Sequence, residues 1–467
     1  MYSKYYVTLL LILSCKFSFA QLIVEIPKLH EADFITLVKN YHPISLQADI
    51  IPQKGALTIQ SARGAFDPLL FTYIDEKNYA GKEYYQELAS GIKFPTSFLG
   101  WEFKLGLNRN KGYYLNPENQ TPSNGLWSFG LSIPLLQGVF TDQRRNSLQQ
   151  AKITAKLSVA ERRQVINNLL KDALESYWNW VMAFRQKKAF EKAYRLSQER
   201  FNAIKDAFSM GERAAIDTLE AHLQVQIRAG NLEQSNNDWL KATLELSNFI
   251  WAENNQPLAI DPNTEPNLDE LTIDVIDIHQ LTQRAVAQHP DLLYYQLKIA
   301  SLKQDQQWYN EKLKPKFNVQ YNLLEESFTN HSFNTLDYRN YKIGIEFSMP
   351  LFLRKERSDK KTNALKITEN ELSLQSKRQA ITTKIKQYQI ETENLSRQIK
   401  INHSIINQYE QLLNAEILNY DLGESNLFMI NSRENNLINA QLKLIEIENK
   451  YAKTKTALKW AAGILID

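Results

Sequence analysis

The spacing of hydrophobic residues along the chain indicates two very long helices. Residues 139–210 and residues 351–422 contain neither glycine nor proline. Within the first stretch, apolar side chains step by four, three, four and three, which is the spacing of a coiled-coil seam. The seam residues are Leu170, Leu174, Tyr177, Val181 and Phe184. At about 1.5 Å per residue, each helix is expected to be about 100 Å long and therefore to need packing partners.

Each predicted long helix ends at a glycine, and a second helical segment follows. Gly211 and Gly423 can adopt the positive φ that ends a helix and reverses the chain. The following segments, 214–251 and 427–462, again show helical periodicity. The sequence therefore predicts two long helical hairpins with their tips near Gly211 and Gly423.

Before each predicted hairpin the periodicity changes from helical to two. A period of two predicts strands with one apolar and one polar face. Taken singly, these strands also suit a soluble sandwich. The alternating apolar residues are Trp101, Phe103, Leu105, Leu107, Trp127, Phe129, Leu131 and Ile133, then Phe317, Val319, Tyr321, Leu323, Tyr341, Ile343, Ile345 and Phe347.

The chain repeats these landmarks in one order, which indicates an internal duplication. His42-Pro43 recurs as His289-Pro290, and the Ser-x-Pro-Leu sequence ending one set of strands, with Pro134, recurs with Pro350. The first repeat is predicted at 21–253, with strands at about 68–134 and a helical hairpin at about 139–251. The second is predicted at 271–467, with strands at about 315–350 and a hairpin at about 351–462. The first repeat has an insertion between 68 and 134, and a proline-containing linker is predicted at 254–270.

The N-terminus predicts export from the cytoplasm. Lys4 precedes the apolar run from Tyr5 to Leu13, and a small residue, Ala20, ends a predicted signal peptide at 1–20. The alternative is a lipoprotein signal that leaves Cys15, the single cysteine of the chain, lipidated. Cleavage after Ala20 removes that cysteine, which excludes disulfides, thiolate metal sites and a cysteine nucleophile.

Bulk charge and catalytic motifs give no sign of nucleic-acid binding or of enzymatic activity. The formal net charge is only +3, so no field that attracts polyanions is expected. No nucleotide-binding phosphate loop and no metal-binding histidine spacing occurs, and His222 is expected at a surface or seam. The paired acids Glu325 and Glu326 follow a predicted strand and suit a loop. We therefore expect no cofactor, no metal and no catalytic residue.

The combination of export signal and two-faced strands favours a membrane β-barrel. No apolar stretch after the signal is long enough to be a membrane helix, whereas aromatic-rich alternating strands suit a barrel with one face on lipid. Two strand pairs, even with an extra hairpin from the insertion, are too few to close a barrel, which needs about eight strands. Several chains must therefore share one barrel, since lipid tolerates no open strand edge.

In this order of parts, the chain resembles the TolC-like outer-membrane efflux protein family. The resemblance rests on the two His-Pro pairs, the strand-to-helix turns at Pro134 and Pro350, and the tip glycines. It implies a mainly α fold of two tandem repeats, each with a helix, a β-hairpin and a long helical hairpin. It further implies a homotrimer with a twelve-stranded barrel, four strands per chain, continued by an α-helical periplasmic tunnel.

The resemblance also implies where the protein works and with which partners. It predicts a passive export duct in the outer membrane of a Gram-negative bacterium, in contact with outer-membrane lipid and with a large periplasmic part. The expected partners are a periplasmic adaptor protein and an inner-membrane transporter. The cargo is not predicted. A periplasmic coiled-coil scaffold or adaptor without a pore is the alternative from another class, which the strands and the duplication disfavour.

Resemblance to the family suggests candidate gate residues at the hairpin tips. Asp217 and Tyr420 match a family pair whose hydrogen bond helps to close the channel, although a helix-start acid and a seam residue explain them equally well. The positions of the family's acidic ring are occupied by Met429 and Ser432. Asp217 and Glu220 are the equivalent positions of the first repeat, and Arg213 follows Gly211 by two.

Overall fold

The computed structural model describes residues 22–24, 28–261, 263–267, 277–326 and 339–466. The predicted signal peptide, with Cys15, lies outside these residues. The chain divides into two compact units. The first comprises Met1–Leu46, Leu169–Val275 and Ile390–Ala457, and the second comprises Gln47–Asn168, Ile276–Gln389 and Leu458–Asp467. Each unit therefore takes segments from both predicted repeats.

The helices follow the predicted duplication. Each repeat opens with two helices, followed by a long helix and its returning partner. In the first repeat these are α1 (Glu31–Tyr41), α2 (Pro43–Arg63), α3 (Gln143–Ser209) and α4 (Ala215–Ser247). In the second they are α5 (Ile278–Gln288), α6 (Pro290–Lys312), α7 (Arg354–Asp421) and α8 (Leu427–Ala461). The lengths of α3 and α7, 67 and 68 residues, confirm the two predicted long helices.

The first unit has its core along the predicted seam of α3. All five seam residues are buried, and Tyr177 is completely so. Its ring stacks on Phe34 of α1 at 5.5 Å between centroids, and its hydroxyl donates to the Leu29 carbonyl at 3.1 Å. Trp180 is also fully buried, and its indole N–H donates to Thr243 Oγ1 of α4 at 3.0 Å. These contacts give α3 the packing partners that its length requires.

Short parallel strands join the N-terminal segment to the segment between the repeats. Strand β1 (Leu22–Val24) pairs with β7 (Leu258–Ile260), and β2 (Lys28–Leu29) pairs with β8 (Glu265–Pro266). The predicted linker at 254–270 thus contains two strands, with prolines near them. Proline is compatible with such short edge strands because few backbone N–H groups there need partners.

The second unit contains an antiparallel sheet of six strands. Its strands are β3 (Leu69–Tyr79), β4 (Lys82–Pro95), β5 (Glu102–Lys111), β6 (Leu126–Pro134), β9 (Lys316–Glu325) and β10 (Tyr341–Ser348). Their order is β10-β9-β6-β5-β4-β3, so β6 of the first repeat pairs with β9 of the second. The four predicted strands are confirmed as β5, β6, β9 and β10.

The insertion in the first repeat accounts for the two additional strands. Four strands per chain, which the family resemblance implied, is therefore wrong for this protein, because β3 and β4 extend the same sheet to six. The hairpin between them turns at Ala80 and Gly81, whose φ angles are 52° and 72°. Two consecutive positive φ angles are the mark of a type I′ turn, which matches the twist of the flanking strands.

The two His-Pro pairs have the same structural role in their respective units. His42 Nδ1 accepts from the Ile44 backbone N–H at 3.2 Å, and His289 Nδ1 accepts from the Asp291 N–H at 3.1 Å. Each histidine therefore caps the helix that begins at the following proline. Burial lowers the pKa of both histidines, which keeps the accepting nitrogen unprotonated at neutral pH.

Candidate functional site

All six strands of the sheet share one apolar face. Residues directly opposite each other in the ladders lie on the same face, so the strand registers define it. Several of these side chains are exposed in the isolated chain, among them Leu70, Ile345 and Phe347 at 71%, 66% and 65%. From β3 to β10 the face carries Leu70, Thr72, Ile74, Leu88, Ser90, Ile92, Phe94, Phe103, Leu105, Leu107, Trp127, Phe129, Leu131, Ile133, Phe317, Val319, Tyr321, Leu323, Tyr341, Ile343, Ile345 and Phe347.

The opposite face is largely polar. Gly91 and Gly106 lie directly opposite each other on it, and added Cβ atoms there would come within 2.4 Å of the Leu105 carbonyl and 2.9 Å of Ser128 Oγ. Such close approach explains why both positions lack side chains. The face includes Lys93, Lys104, Asn108, Ser128, Ser132, Asn318, Gln320, Asn322, Lys342 and Glu346. A sheet with two such faces can separate lipid from water.

The strand-to-helix turns predicted at Pro134 and Pro350 flank the sheet. Pro134 is the last residue of β6 and lies opposite Asn318 of β9. The chain then donates from the Leu135 and Gln137 N–H groups to the carbonyls of Phe317 and Pro315, at 2.8 and 3.1 Å. These bonds extend the pairing of the two repeats beyond the strand. Pro350 follows β10 by two residues.

The tips of the two helical hairpins have the same turn. Gly211 and Gly423 have φ angles of 82° and 81°. After each glycine, a glutamate N–H donates to a carbonyl five residues earlier: Glu212 to Ala207 at 2.9 Å, and Glu424 to Asn419 at 2.8 Å. This is the bond of a Schellman motif, and it satisfies carbonyls at the end of each long helix. Both predicted tip turns are therefore confirmed, and they match between repeats.

At the tips, the structure brings Arg213 and Tyr420 together. The Arg213 guanidinium lies 4.1 Å from the centre of the Tyr420 ring, which is cation–π geometry. The Tyr420 hydroxyl is buried and has no hydrogen-bond partner among the described residues. Burial raises the pKa of Tyr420, Arg213 opposes that shift and Asp217 adds to it. The hydrogen bond expected between Asp217 and Tyr420 is therefore not formed in this chain.

The remaining gate candidates lie on the helices that follow the tips. Glu220 Oε1 accepts from Asn431 Nδ2 at 3.0 Å, which links α4 to α8. Met429 is half-buried, and its N–H donates to Asn426 Oδ1 at 3.0 Å, an N-terminal cap for α8. Ser432 is half-buried on the same helix. Of the six candidates, only Arg213 and Tyr420 contact each other directly through their side chains.

The sequence analysis missed a buried charged cluster further along these helices. Arg200 Nη1 lies 2.7 Å from Glu434 Oε2, and Arg228 Nη2 donates to Asn435 Oδ1 at 2.6 Å. Glu434 and Arg228 are 6% and 4% exposed. A signal was present in the spacing, because Ala221, Arg228, Ser235 and Ala242 repeat every seven residues and are all buried. An arginine in a seam of small residues indicates a charged partner on the facing helix.

Other chemistry that was considered in the sequence has ordinary surroundings. His222 is exposed and packs against Phe201 at 5.1 Å between rings. Glu325 ends β9. In the part of the chain that the structure describes, no group of histidine, cysteine or acidic side chains is arranged to hold a metal ion. Within that same part, none of the helices combines the length and hydrophobicity needed to cross a membrane.

Solved structures with a similar fold are outer-membrane channels. The MtrE channel of Neisseria gonorrhoeae, in its open state, matches with a TM-score of 0.68 and 12% identity over 94% of this chain and 89% of its own. VceC of Vibrio cholerae matches at 0.65 and 12%, covering 93% and 96%. CmeC of Campylobacter jejuni matches at 0.63 and 14%, covering 93% and 85%. The fold is thus that of the outer-membrane channel class.

Sequence comparison identifies the family within that class. The model of the outer membrane efflux protein family matches residues 101–250 and 281–464, which is more than half of the chain. The chain belongs to the outer membrane efflux protein family. Its members are transport channels of the outer membrane rather than enzymes, and the scaffold alternative is not favoured. No curated protein sequence matches the chain.

Proposed function

We propose that three copies of this chain form an outer-membrane efflux duct that receives its cargo from a periplasmic adaptor protein and an inner-membrane transporter. The observation that carries the proposal is the two-faced sheet with open edges. Among the described residues, β3 and β10 each pair on one side only. In hydrocarbon, unpaired backbone N–H and C=O groups cost several kcal/mol each, so sheets of neighbouring chains must join edge to edge.

The number of strands in the proposed barrel follows from the sheet. Six strands from each of three chains give eighteen, against the twelve that the family resemblance implied. The continuous apolar face supports placing all six in the barrel wall, since β3 and β4 contribute Leu70, Ile74, Ile92 and Phe94 to it. With strands about 4.8 Å apart and tilted by about 40°, the backbone radius is about 18 Å for eighteen strands and about 12 Å for twelve.

Polymer exclusion in a planar bilayer tests the duct and its width together. We expect the protein to be extracted from the outer membrane as an oligomer that dissociates on heating, and to form single channels. Neutral polymers too large for a twelve-stranded lumen but small enough for an eighteen-stranded one should lower the conductance when added on the barrel side. Exclusion of these polymers would contradict the eighteen strands alone. A folded protein that remains monomeric or forms no channel would contradict the duct.

We also propose that the hairpin tips form the periplasmic gate, in which the contact between Arg213 and Tyr420 helps to hold the hairpins closed. The Tyr420 hydroxyl has no partner, whereas the ring lies against the guanidinium. A cation–π contact contributes about 0.5–1 kcal/mol. Glu220, bonded to Asn431, adds a second link between the hairpins. Asp217, Met429 and Ser432 remain candidates at the constriction.

Channel recordings of two single variants test this gate. Arg213→Ala removes the cation and should raise the ratio of open to closed channels by about two- to fivefold per contact, as a loss of about 0.5–1 kcal/mol requires. Tyr420→Phe keeps the ring and should leave that ratio unchanged. If Tyr420→Phe opens the channel as much as Arg213→Ala does, the hydroxyl forms a closing bond in the assembled protein, and the contact with the ring is not the lock.

A further inference from the structure

One row of the polar sheet face is basic without any acid. Following the strand registers across the sheet, Lys93 of β4 lies opposite Lys104 of β5, and the row continues through Gly130 and Asn322 to Lys342 of β10. We call Lys93, Lys104 and Lys342 the basic row. Because residues directly opposite each other share a face, the three ammonium groups lie on the same side of the sheet.

The basic row opposes the stability of the sheet. Like charges directly opposite each other in an antiparallel pair are destabilising, and Lys93 and Lys104 form such a pair. None of the three lysines forms an ion pair with a described carboxylate. Instead, Lys93 Nζ and Lys104 Nζ lie 5.2 and 5.3 Å from the centre of the same ring, that of Phe71. A sheet selected for stability alone would place an acid in one of these positions.

The neighbouring rows do not cancel this charge. One row nearer the helices, Glu102 lies on the same face, but its carboxylate is 3.3 Å from Arg144 Nη2. The next two rows in the other direction carry no charged residue on this face. They consist of Phe71, Gly91, Gly106, Ser128 and Leu324, and of Tyr73, Ala89, Asn108 and Leu126. The positive potential is therefore local to the basic row and extends over uncharged surface.

The surroundings leave the ammonium groups accessible. Lys104 and Lys342 are exposed, and the row beside them contains the glycine pair Gly91 and Gly106, which has no side chains to cover it. A ring of lysine or arginine side chains is a recurrent means by which pores favour anions. Three copies of the chain bring nine ammonium groups to one level of the lumen. Solutes with carboxylate, phosphate or sulfate groups match this chemistry.

We propose that the basic row makes the barrel lumen selective for anions and favours the passage of small anionic solutes. The proposal rests on the proposed duct, because the row needs neighbouring copies to encircle the lumen. The selectivity is electrostatic and not a matter of tight binding. It should therefore be strongest in dilute salt, where the Debye length is about 10–30 Å, and should fade at about 1 M, where it is about 3 Å.

Reversal potentials in a KCl gradient provide the test. In dilute KCl, wild-type channels should pass chloride over potassium by at least roughly twofold, and the preference should disappear in concentrated salt, as screening requires. The variant Lys93→Gln, Lys104→Gln, Lys342→Gln should lose the preference. The control variant Lys82→Gln, Lys111→Gln, Lys355→Gln removes the same charge from positions outside the row, and should keep it.

The outcomes separate the basic row from the duct. Channels without anion preference in the wild type, or with equal loss of preference in both triple variants, would overturn the role of the row and leave the duct intact. A correctly folded oligomer that forms no channel would overturn both. Because glutamine retains the length and polarity of the side chain and relieves the repulsion between Lys93 and Lys104, we expect the triple variant to fold.

Discussion

Replacing Trp180 with alanine should lower the free energy of unfolding by about 3–5 kcal/mol, the usual cost of removing a large buried aromatic side chain. Trp180 is completely buried, and its indole N–H bonds to Thr243 at 3.0 Å. The variant loses apolar contacts between α3 and α4 and leaves a cavity. The midpoint of denaturation, followed by helical circular dichroism, measures the change.

Two milder variants at the same position in the core separate packing from hydrogen bonding. Trp180→Phe keeps most of the aromatic volume and removes the N–H, so it should cost much less than alanine. Thr243→Val keeps the volume and leaves the buried N–H without a partner, at about 1–3 kcal/mol. If Trp180→Ala costs no more than Thr243→Val, the indole does not hold the two helices together through packing.

Replacing Glu434 with alanine is expected to cost about 3–5 kcal/mol, as is usual when one partner of a buried ion pair is removed. Glu434 lies 2.7 Å from Arg200, and its negative charge also acts on the buried Arg228. Without it, two guanidinium groups remain close together with little solvent to screen them. The denaturation midpoint again measures the loss.

An exposed ion pair on the same helix provides the matched control. Glu446 pairs with Lys443 at 3.0 Å, and both side chains are more than half exposed. Glu446→Ala should change stability by less than about 1 kcal/mol, because solvent screens such pairs. Equal effects of the two glutamate substitutions would show that burial of the charged cluster does not contribute to the stability of the hairpins.

Regular periodicity made most of the fold predictable. The absence of glycine and proline located α3 and α7 to within about four residues, as such boundaries allow. Strict alternation located β5, β6, β9 and β10, and the duplication linked the two halves. In each of these elements, the local pattern and the final burial agree. The seam from Leu170 to Phe184 is one example, since every predicted member is buried.

Where the pattern was irregular, sequence reasoning left the structure open. In β4, Tyr84 and Tyr85 are adjacent aromatic residues, and Ser90 lies on the apolar face, so the alternation is broken. The register of β3 and β4 also shifts between Lys77 and Asn78. The turn is Ala80-Gly81 rather than the Asn-Gly that most clearly marks a hairpin. These features hid two strands that the ladder hydrogen bonds stabilise.

The candidate gate was predictable in place but not in its contacts. The tip glycines fixed where the hairpins turn, because only the positive φ matters there. Which side chains meet depends on how four helices pack, and spacing along one helix does not determine it. Arg213 therefore meets the Tyr420 ring, while Asp217 does not bond its hydroxyl.

The pairing of β6 with β9 also sets the order in which the protein can form. Trp127 lies opposite Glu325, so the central ladder of the sheet joins residues nearly two hundred positions apart. Contacts of such high sequence separation form late, since loop closure precedes them. During secretion, the aromatic strands of the first repeat are exported long before their partner and present an unpaired edge. A chaperone that shields these strands until the second repeat is exported would prevent their aggregation.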